Sequence, residues 1–214
     1  MKTNVKGVIF DLDGVLCSTD EYHYLAWKTL AEKLGIENFT RADNARQRGV
    51  SRMESLEVVL EKSGKAYSSE EKLRFADYKN EIYKEMLQNM SPYDLSADVR
   101  HTLETLSAKG IKTAVGSSSK NTPAILERLG LSNFFDAVAD GNDITRSKPD
   151  PEVFLLAASR LSLLPADCIV VEDAESGVDA GLAGGFRVAA LGDALKCGKA
   201  TYALDKLSDL LKIL

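Results

Sequence analysis

Residues 5–15 read Val5-Lys6-Gly7-Val8-Ile9-Phe10-Asp11-Leu12-Asp13-Gly14-Val15. The first six are β-branched and apolar in the main, and a short run of that kind predicts a buried strand. The run stops at Asp11. Residues i and i+2 of an extended chain point the same way, so Asp11 and Asp13 can enter one site. Gly14 permits a sharp turn or the close approach of another group. Similar runs recur at 111–115 (IKTAV), 135–139 (FDAVA), 168–171 (CIVV) and 186–191 (FRVAAL). Helical patterns lie between them at 96–109, 121–129, 150–162 and 176–183. Asn121, Asp150 before Pro151, and Ser176 stand where N-caps are expected, and Gly110, Gly130 and Gly184 where helices stop. Strands alternating with helices predict an α/β fold with a Rossmann-like parallel sheet covered on both faces.

From 19 to 92 that alternation breaks, and only helical patterns are legible. Ser51-Arg52-Met53-Glu54 has capping-box spacing and leads into Leu56, Val59 and Leu60; Ser68 and Glu71 repeat the signature before a helix over 72–90. We read 19–92 as an inserted α-helical cap domain, and 1–18 with 93–214 as the core domain. A lid over the carboxyl ends of the strands is the expected place for such an insert, since open α/β sheets bind ligands there.

The composition excludes several classes. Hydrophobic residues make up 44% of the 214 and charged residues 28%, which is a globular balance rather than a disordered one. Lys and Arg number 27 against 32 Asp and Glu, a net charge of −5 that speaks against a nucleic-acid partner. The opening residues carry no apolar signal core, and the longest apolar runs fall far short of the ~20 residues of a membrane span. Cys17, Cys168 and Cys197 show no CxxC spacing, so neither a zinc site nor a disulfide framework is indicated. Free thiols fit a reducing, cytoplasmic setting.

In a parallel sheet the strand ends share one edge. Gly116 leads there into Ser117-Ser118-Ser119, and Val171 into Glu172-Asp173; Ser147-Lys148-Pro149 precedes that strand. Four carboxylates, a hydroxyl cluster and a lysine therefore converge. The carboxylates repel one another without a counterion. Hard oxygen ligands suit Mg²⁺, while a serine and a lysine suit a phosphoryl group. One aspartate can act as a carboxylate nucleophile and the other as general acid/base, giving phosphoryl transfer through a phospho-aspartate.

The four blocks Asp11–Val15, Ser117, Lys148 and Glu172-Asp173 resemble those of the haloacid dehalogenase superfamily, in order and across nearly the whole chain. Within it the chain is most similar to the β-phosphoglucomutase family. The segments that carry this are Thr19-Asp20-Glu21-Tyr22-His23 with Ala26-Trp27, then Gly49-Val50-Ser51-Arg52, Lys79-Asn80 and Ser117–Asn121. The resemblance implies Asp11 as the phosphorylated nucleophile and Asp13 as acid/base, with Thr19, His23 and Lys79 acting around it. It implies Mg²⁺ held by Asp11, the Asp13 backbone carbonyl, Glu172 and Asp173. Ser117, the Ser118 amide and Lys148 would bind the transferring phosphoryl group. Arg52, Ser119 and Asn121, with Gly49 and Val50 beside them, would hold the rest of a sugar phosphate. The implied substrates are β-glucose 1-phosphate and glucose 1,6-bisphosphate, and a lid that opens and closes favours a monomer. A sugar-phosphate phosphatase on the same scaffold is the alternative. Trp27 reads as cap core and His101 as surface.

Overall fold

The computed structural model describes residues 5–214, so expectations resting on Met1–Asn4, including the reading of the chain's opening, lie outside the described residues. Six strands form one sheet: β1 (Gly7–Phe10), β2 (Lys112–Gly116), β3 (Ala137–Ala139), β4 (Cys168–Glu172), β5 (Arg187–Ala190) and β6 (Tyr202–Ala203). Their order is β3-β2-β1-β4-β5-β6, and every pairing is parallel. The first five answer the apolar runs of the sequence. The two-residue β6 was not expected from it.

Helices α5 (Ala97–Ala108), α6 (Thr122–Arg128), α7 (Glu152–Arg160) and α8 (Glu175–Ala183) cover the two faces. The period of two along β1 sorts its side chains. Val8 and Phe10 join one apolar cluster with Leu103, Leu106 and Ile125, whereas Ile9 joins the other with Phe154, Ala157 and Val178. A strand buried on both sides needs an unbroken apolar run, which is why VKGVIF reads as it does. The chain builds outward from β1 through β2 to β3, then crosses to β4. That reversal opens a crevice at the carboxyl ends of β1 and β4, where Asp11 and Glu172 stand.

Three caps differ from expectation. Asn121 stands at the N-cap of α6 but its side chain is turned away to Asn80. Helix α7 starts one residue late, and Asp150 accepts the Glu152 N–H from outside it. Helix α8 is preceded by Ala174 rather than Ser176: the Ala174 carbonyl accepts the Gly177 and Val178 N–H groups, so Ser176 falls inside the first turn, and its buried hydroxyl has no hydrogen-bond partner among the described residues.

Between β1 and β2 run α1 (Asp20–Lys33), α2 (Arg41–Ala45), α3 (Arg52–Leu60) and α4 (Ser69–Leu87). Capping boxes at Ser51/Glu54 and Ser68/Glu71 start α3 and α4. Trp27, Leu30, Leu56, Val59 and Ala76 form a separate apolar cluster among these helices, while Ala26, Tyr83 and Leu87 pack into the cluster of Val8 and Phe10. No helix among the described residues is long and apolar enough to cross a membrane.

Candidate active site

The turn after β1 is fixed by backbone bonds. Asp11 N–H donates to Val171 O at 3.0 Å, Leu16 N–H to Leu12 O at 3.0 Å, and Gly14 N–H to Cys17 O at 2.7 Å. Gly14 has φ +84°, and a Cβ there would lie 2.1 Å from Asp173 Oδ2. Only glycine allows both the turn and the packing of the Asp173 carboxylate against it.

Lys148, 1% exposed, is the cation of the core wall. Its Nζ lies 2.5 Å from Asp11 Oδ1 and 2.5 Å from Glu172 Oε1. Burial works against its charge, but the two carboxylates outweigh burial and hold the ammonium well above the usual lysine range. One lysine does not balance three acids. Burial and the neighbouring Asp11, Glu172 and Asp13 push Asp173 up to about 8, and burial pushes Glu172 up as well. One oxygen from each of Asp11, Glu172 and Asp173 falls within 4.8 Å of the others. A crowded all-oxygen donor set short of positive charge fits a hard divalent cation such as Mg²⁺.

Asp13 faces elsewhere. Its carboxylate accepts Thr19 N–H at 2.7 Å and Thr19 Oγ1–H at 2.6 Å, and Tyr83 OH donates to Thr19 Oγ1 at 2.9 Å. Burial pushes Asp13 up to about 6 against the lowering effect of the Thr19 bonds. His23 Nε2 stands 3.9 Å from it. Lys79 Nζ lies 2.9 Å from His23 Nδ1 and sits over the Trp27 and Tyr83 rings at 4.7 and 4.5 Å. Burial, with Arg52 nearby, pushes Lys79 well below the usual lysine value; burial, Lys79 and Arg52 push His23 down too. Charge is thus disfavoured on both members of this contact.

The loop after β2 folds on itself. Ser119 N–H donates to Ser117 Oγ at 3.1 Å, and Asn121 N–H to Ser119 Oγ at 3.2 Å. Asn121 Nδ2 donates to Asn80 Oδ1 of α4 at 3.0 Å, across the gap between insert and sheet. Apart from Thr19 and Tyr83, the groups of both walls and of this loop line one cavity of about 520 Å³. Of the residues singled out from the sequence, it is lined by Asp11, Asp13, His23, Gly49, Val50, Arg52, Lys79, Ser117, Ser118, Ser119, Asn121, Lys148, Glu172 and Asp173. Thr19 alone stands behind it, holding Asp13. Arg52, the first residue of α3, is half-buried and forms no ion pair among the described residues. Tyr83 and Arg48 had no role in the sequence reading. Tyr83 carries a faint signal, four residues after Lys79 on the same helix face; Arg48 carries none.

A family described as haloacid dehalogenase-like hydrolase matches residues 8–191. A relative named β-phosphoglucomutase from Bacillus subtilis is 40% identical over 96% of this chain and 92% of its own. A relative named phosphorylated carbohydrates phosphatase, from Thermotoga maritima, is 33% identical over 98% of each chain. The crystal structure of a β-phosphoglucomutase from Clostridium difficile superposes with a TM-score of 0.90 at 36% identity, covering 96% of this chain and 93% of that one.

Proposed function

Since this chain belongs to the haloacid dehalogenase-like hydrolase family, we propose that it is a β-phosphoglucomutase. It would interconvert β-D-glucose 1-phosphate and glucose 6-phosphate through Asp11 and the 1,6-bisphosphate. An Asp11 carboxylate oxygen bonds to phosphorus as the bond from phosphorus to the sugar oxygen breaks, and that oxygen takes a proton from Asp13. On return, Asp13 takes the proton of the accepting hydroxyl while phosphorus leaves Asp11. Thr19 orients the Asp13 carboxylate. Lys148 and Ser117 bind the transferring group. Asp11, the Asp13 carbonyl, Glu172 and Asp173 would hold Mg²⁺, which neutralises phosphoryl charge when bound. The insert, read as a cap domain over 19–92, closes over the sugar and excludes water.

The observation that carries the mutase reading is Arg52. Arg52 makes no ion pair among the described residues, and Asp77 and Glu81 nearby do not outweigh the burial of its guanidinium, a costly arrangement that an anion would complete. It lines the same cavity as Lys148, so the cavity offers cations on the insert wall as well as on the core wall. A bisphosphate that must present either end to Asp11 requires that. Ser119 and Asn121 would share this second phosphate.

A Mg²⁺-dependent sugar-phosphate phosphatase is the second reading, supported by the likeness to the Thermotoga maritima phosphatase. One assay separates the two. The protein is given Mg²⁺, β-glucose 1-phosphate and a trace of glucose 1,6-bisphosphate, and glucose 6-phosphate and free phosphate are followed together. Fast glucose 6-phosphate with little free phosphate is expected. Free phosphate alone would sink the mutase reading and leave the phosphatase.

A further inference from the structure

Arg48 reaches across the cavity mouth. Its Nε lies 3.4 Å from Asp20 Oδ1 and its Nη2 3.4 Å from Asp20 Oδ2, both on the insert. Its Nη1 pairs with Asp193 Oδ2, in the turn after β5. The next residue, Gly49, has φ +74° and rests on the core as well: a Cβ there would come 2.3 Å from Ser176 Oγ. The Asp193 turn is itself tied to the carboxylate loop, because Ala194 N–H donates to Asp173 O at 2.8 Å. On the other flank of the sheet, Asn80 and Asn121 make the matching tie between α4 and the loop after β2. The insert is thus fastened to the core on both sides of β1 and β4.

We propose that Arg48 is a positioning residue whose bond to Asp193 fastens the insert shut, and that this fastening sets how often phospho-Asp11 is lost to water rather than passed to a sugar hydroxyl. The proposal rests on the phospho-aspartate reading above. In the loss, a water oxygen bonds to phosphorus as the bond to Asp11 breaks, the electron pair of that bond restores the Asp11 carboxylate, and inorganic phosphate leaves carrying the water's two protons as dihydrogen phosphate. A guanidinium suits this work. It spreads its donors over two carboxylates at once, so closing adds the Asp193 bond without giving up Asp20. The pair is partly exposed, so it opens at modest cost.

The test uses the whole protein and three variants. Asp193→Asn removes the cross-tie while leaving Arg48 on Asp20. Arg48→Ala removes both bonds. Lys196→Ala, which takes away the other partner of Asp193, is the control. Two quantities are read: the ratio of free phosphate to glucose 6-phosphate, and hydrogen exchange of the amides of 46–51 and 173–176 in the ligand-free protein. We expect Asp193→Asn to raise the ratio about 2–5-fold, the size of a partly exposed ion pair, and to speed exchange in both segments. Arg48→Ala does at least as much, and Lys196→Ala leaves both readings as they are. An unchanged exchange pattern in Asp193→Asn overturns the strap, whatever the ratio does; an unchanged ratio overturns its effect on water. Should the unaltered protein make only free phosphate, the mutase reading fails separately, and exchange still decides whether Arg48 fastens the insert.

Discussion

Lys148 on the core wall and Lys79 on the insert wall are both buried lysines, 1% and 3% exposed, yet they are held in opposite ways. Lys148 has a carboxylate oxygen on either side at 2.5 Å and stays firmly charged. Lys79 has an imidazole nitrogen and two aromatic rings, and its charge is disfavoured. The difference follows from where each wall comes from. The core wall is made of strand ends, whose spacing the sheet dictates, so several charges can be packed at fixed short range. The insert wall is made of helix faces and a loop, whose polar groups meet one another and the core through single bonds. The core commits its charges to one arrangement; the insert keeps groups that an incoming anion can complete.

The sharpest break of that comparison is at Asp11. Asp11→Asn should cut phosphoryl transfer by at least ~10⁴-fold while circular dichroism and the unfolding transition stay those of a folded protein. Substantial turnover in the folded variant would remove Asp11 from the nucleophile's place. Lys148→Met comes next. It strands Asp11 and Glu172 without their cation, and breaking a buried pair from one side costs about 3–5 kcal/mol, read as a lowered urea midpoint. A loss under about 1 kcal/mol would mean the carboxylates relax or protonate easily, and the rigid picture of the core wall would go.

Arg52→Ala probes the insert wall. Charge-assisted bonds to phosphate are worth about 1.5–3 kcal/mol, so turnover with the bisphosphate should fall roughly 10–100-fold, and hydrolysis of a small aryl phosphate much less. Equal losses on the two substrates would argue against a second phosphate there. Lys79→Met sharpens the contrast with Lys148. It forms no ion pair among the described residues, and Asp13 acts on it only at a distance, so stability should change by less than about 1 kcal/mol, or rise, while turnover falls. A loss as large as that of Lys148→Met would show that the two lysines are held alike after all.

The same contrast explains what the sequence made legible. Strand ends are local: an apolar run followed by Asp11-Leu12-Asp13-Gly14 states both the element and the direction of two carboxylates, and parallel pairing brings Glu172 and Asp173 to the same edge. Capping boxes are local too, and Ser51 and Ser68 behave as their spacing requires. What escaped depends on partners far along the chain. Glu172 folds back onto the N–H of Ala174, the N-cap two residues ahead of Ser176, Asn121 turns to Asn80, and Arg48 meets Asp193 across 145 positions. The two residues of β6 are too few for any period to show.

The smallest effect lies on the insert's outer side, and it carries a sign. The Asp43 carboxylate accepts Thr40 N–H at 2.8 Å and Thr40 Oγ1–H at 2.7 Å, and Lys62 Nζ stands 2.7 Å away. Burial alone would raise its pKa; Lys62 and Thr40 together outweigh burial and hold the carboxyl below the usual range. A lowered folded value means that the ionised form stabilises the fold. The contribution is fully present above the unfolded value of about 3.9 and fades as pH falls through the lower folded value. Asp43→Asn should therefore cost about 1 kcal/mol at neutral pH, the size of a helix cap. The gap between variant and parent should close on acidification below that window. Titration of the other carboxylates is common to both proteins and cancels in the difference, so the gap reports Asp43 itself. A gap that stays constant with pH would mean that shape rather than charge holds this corner of the insert.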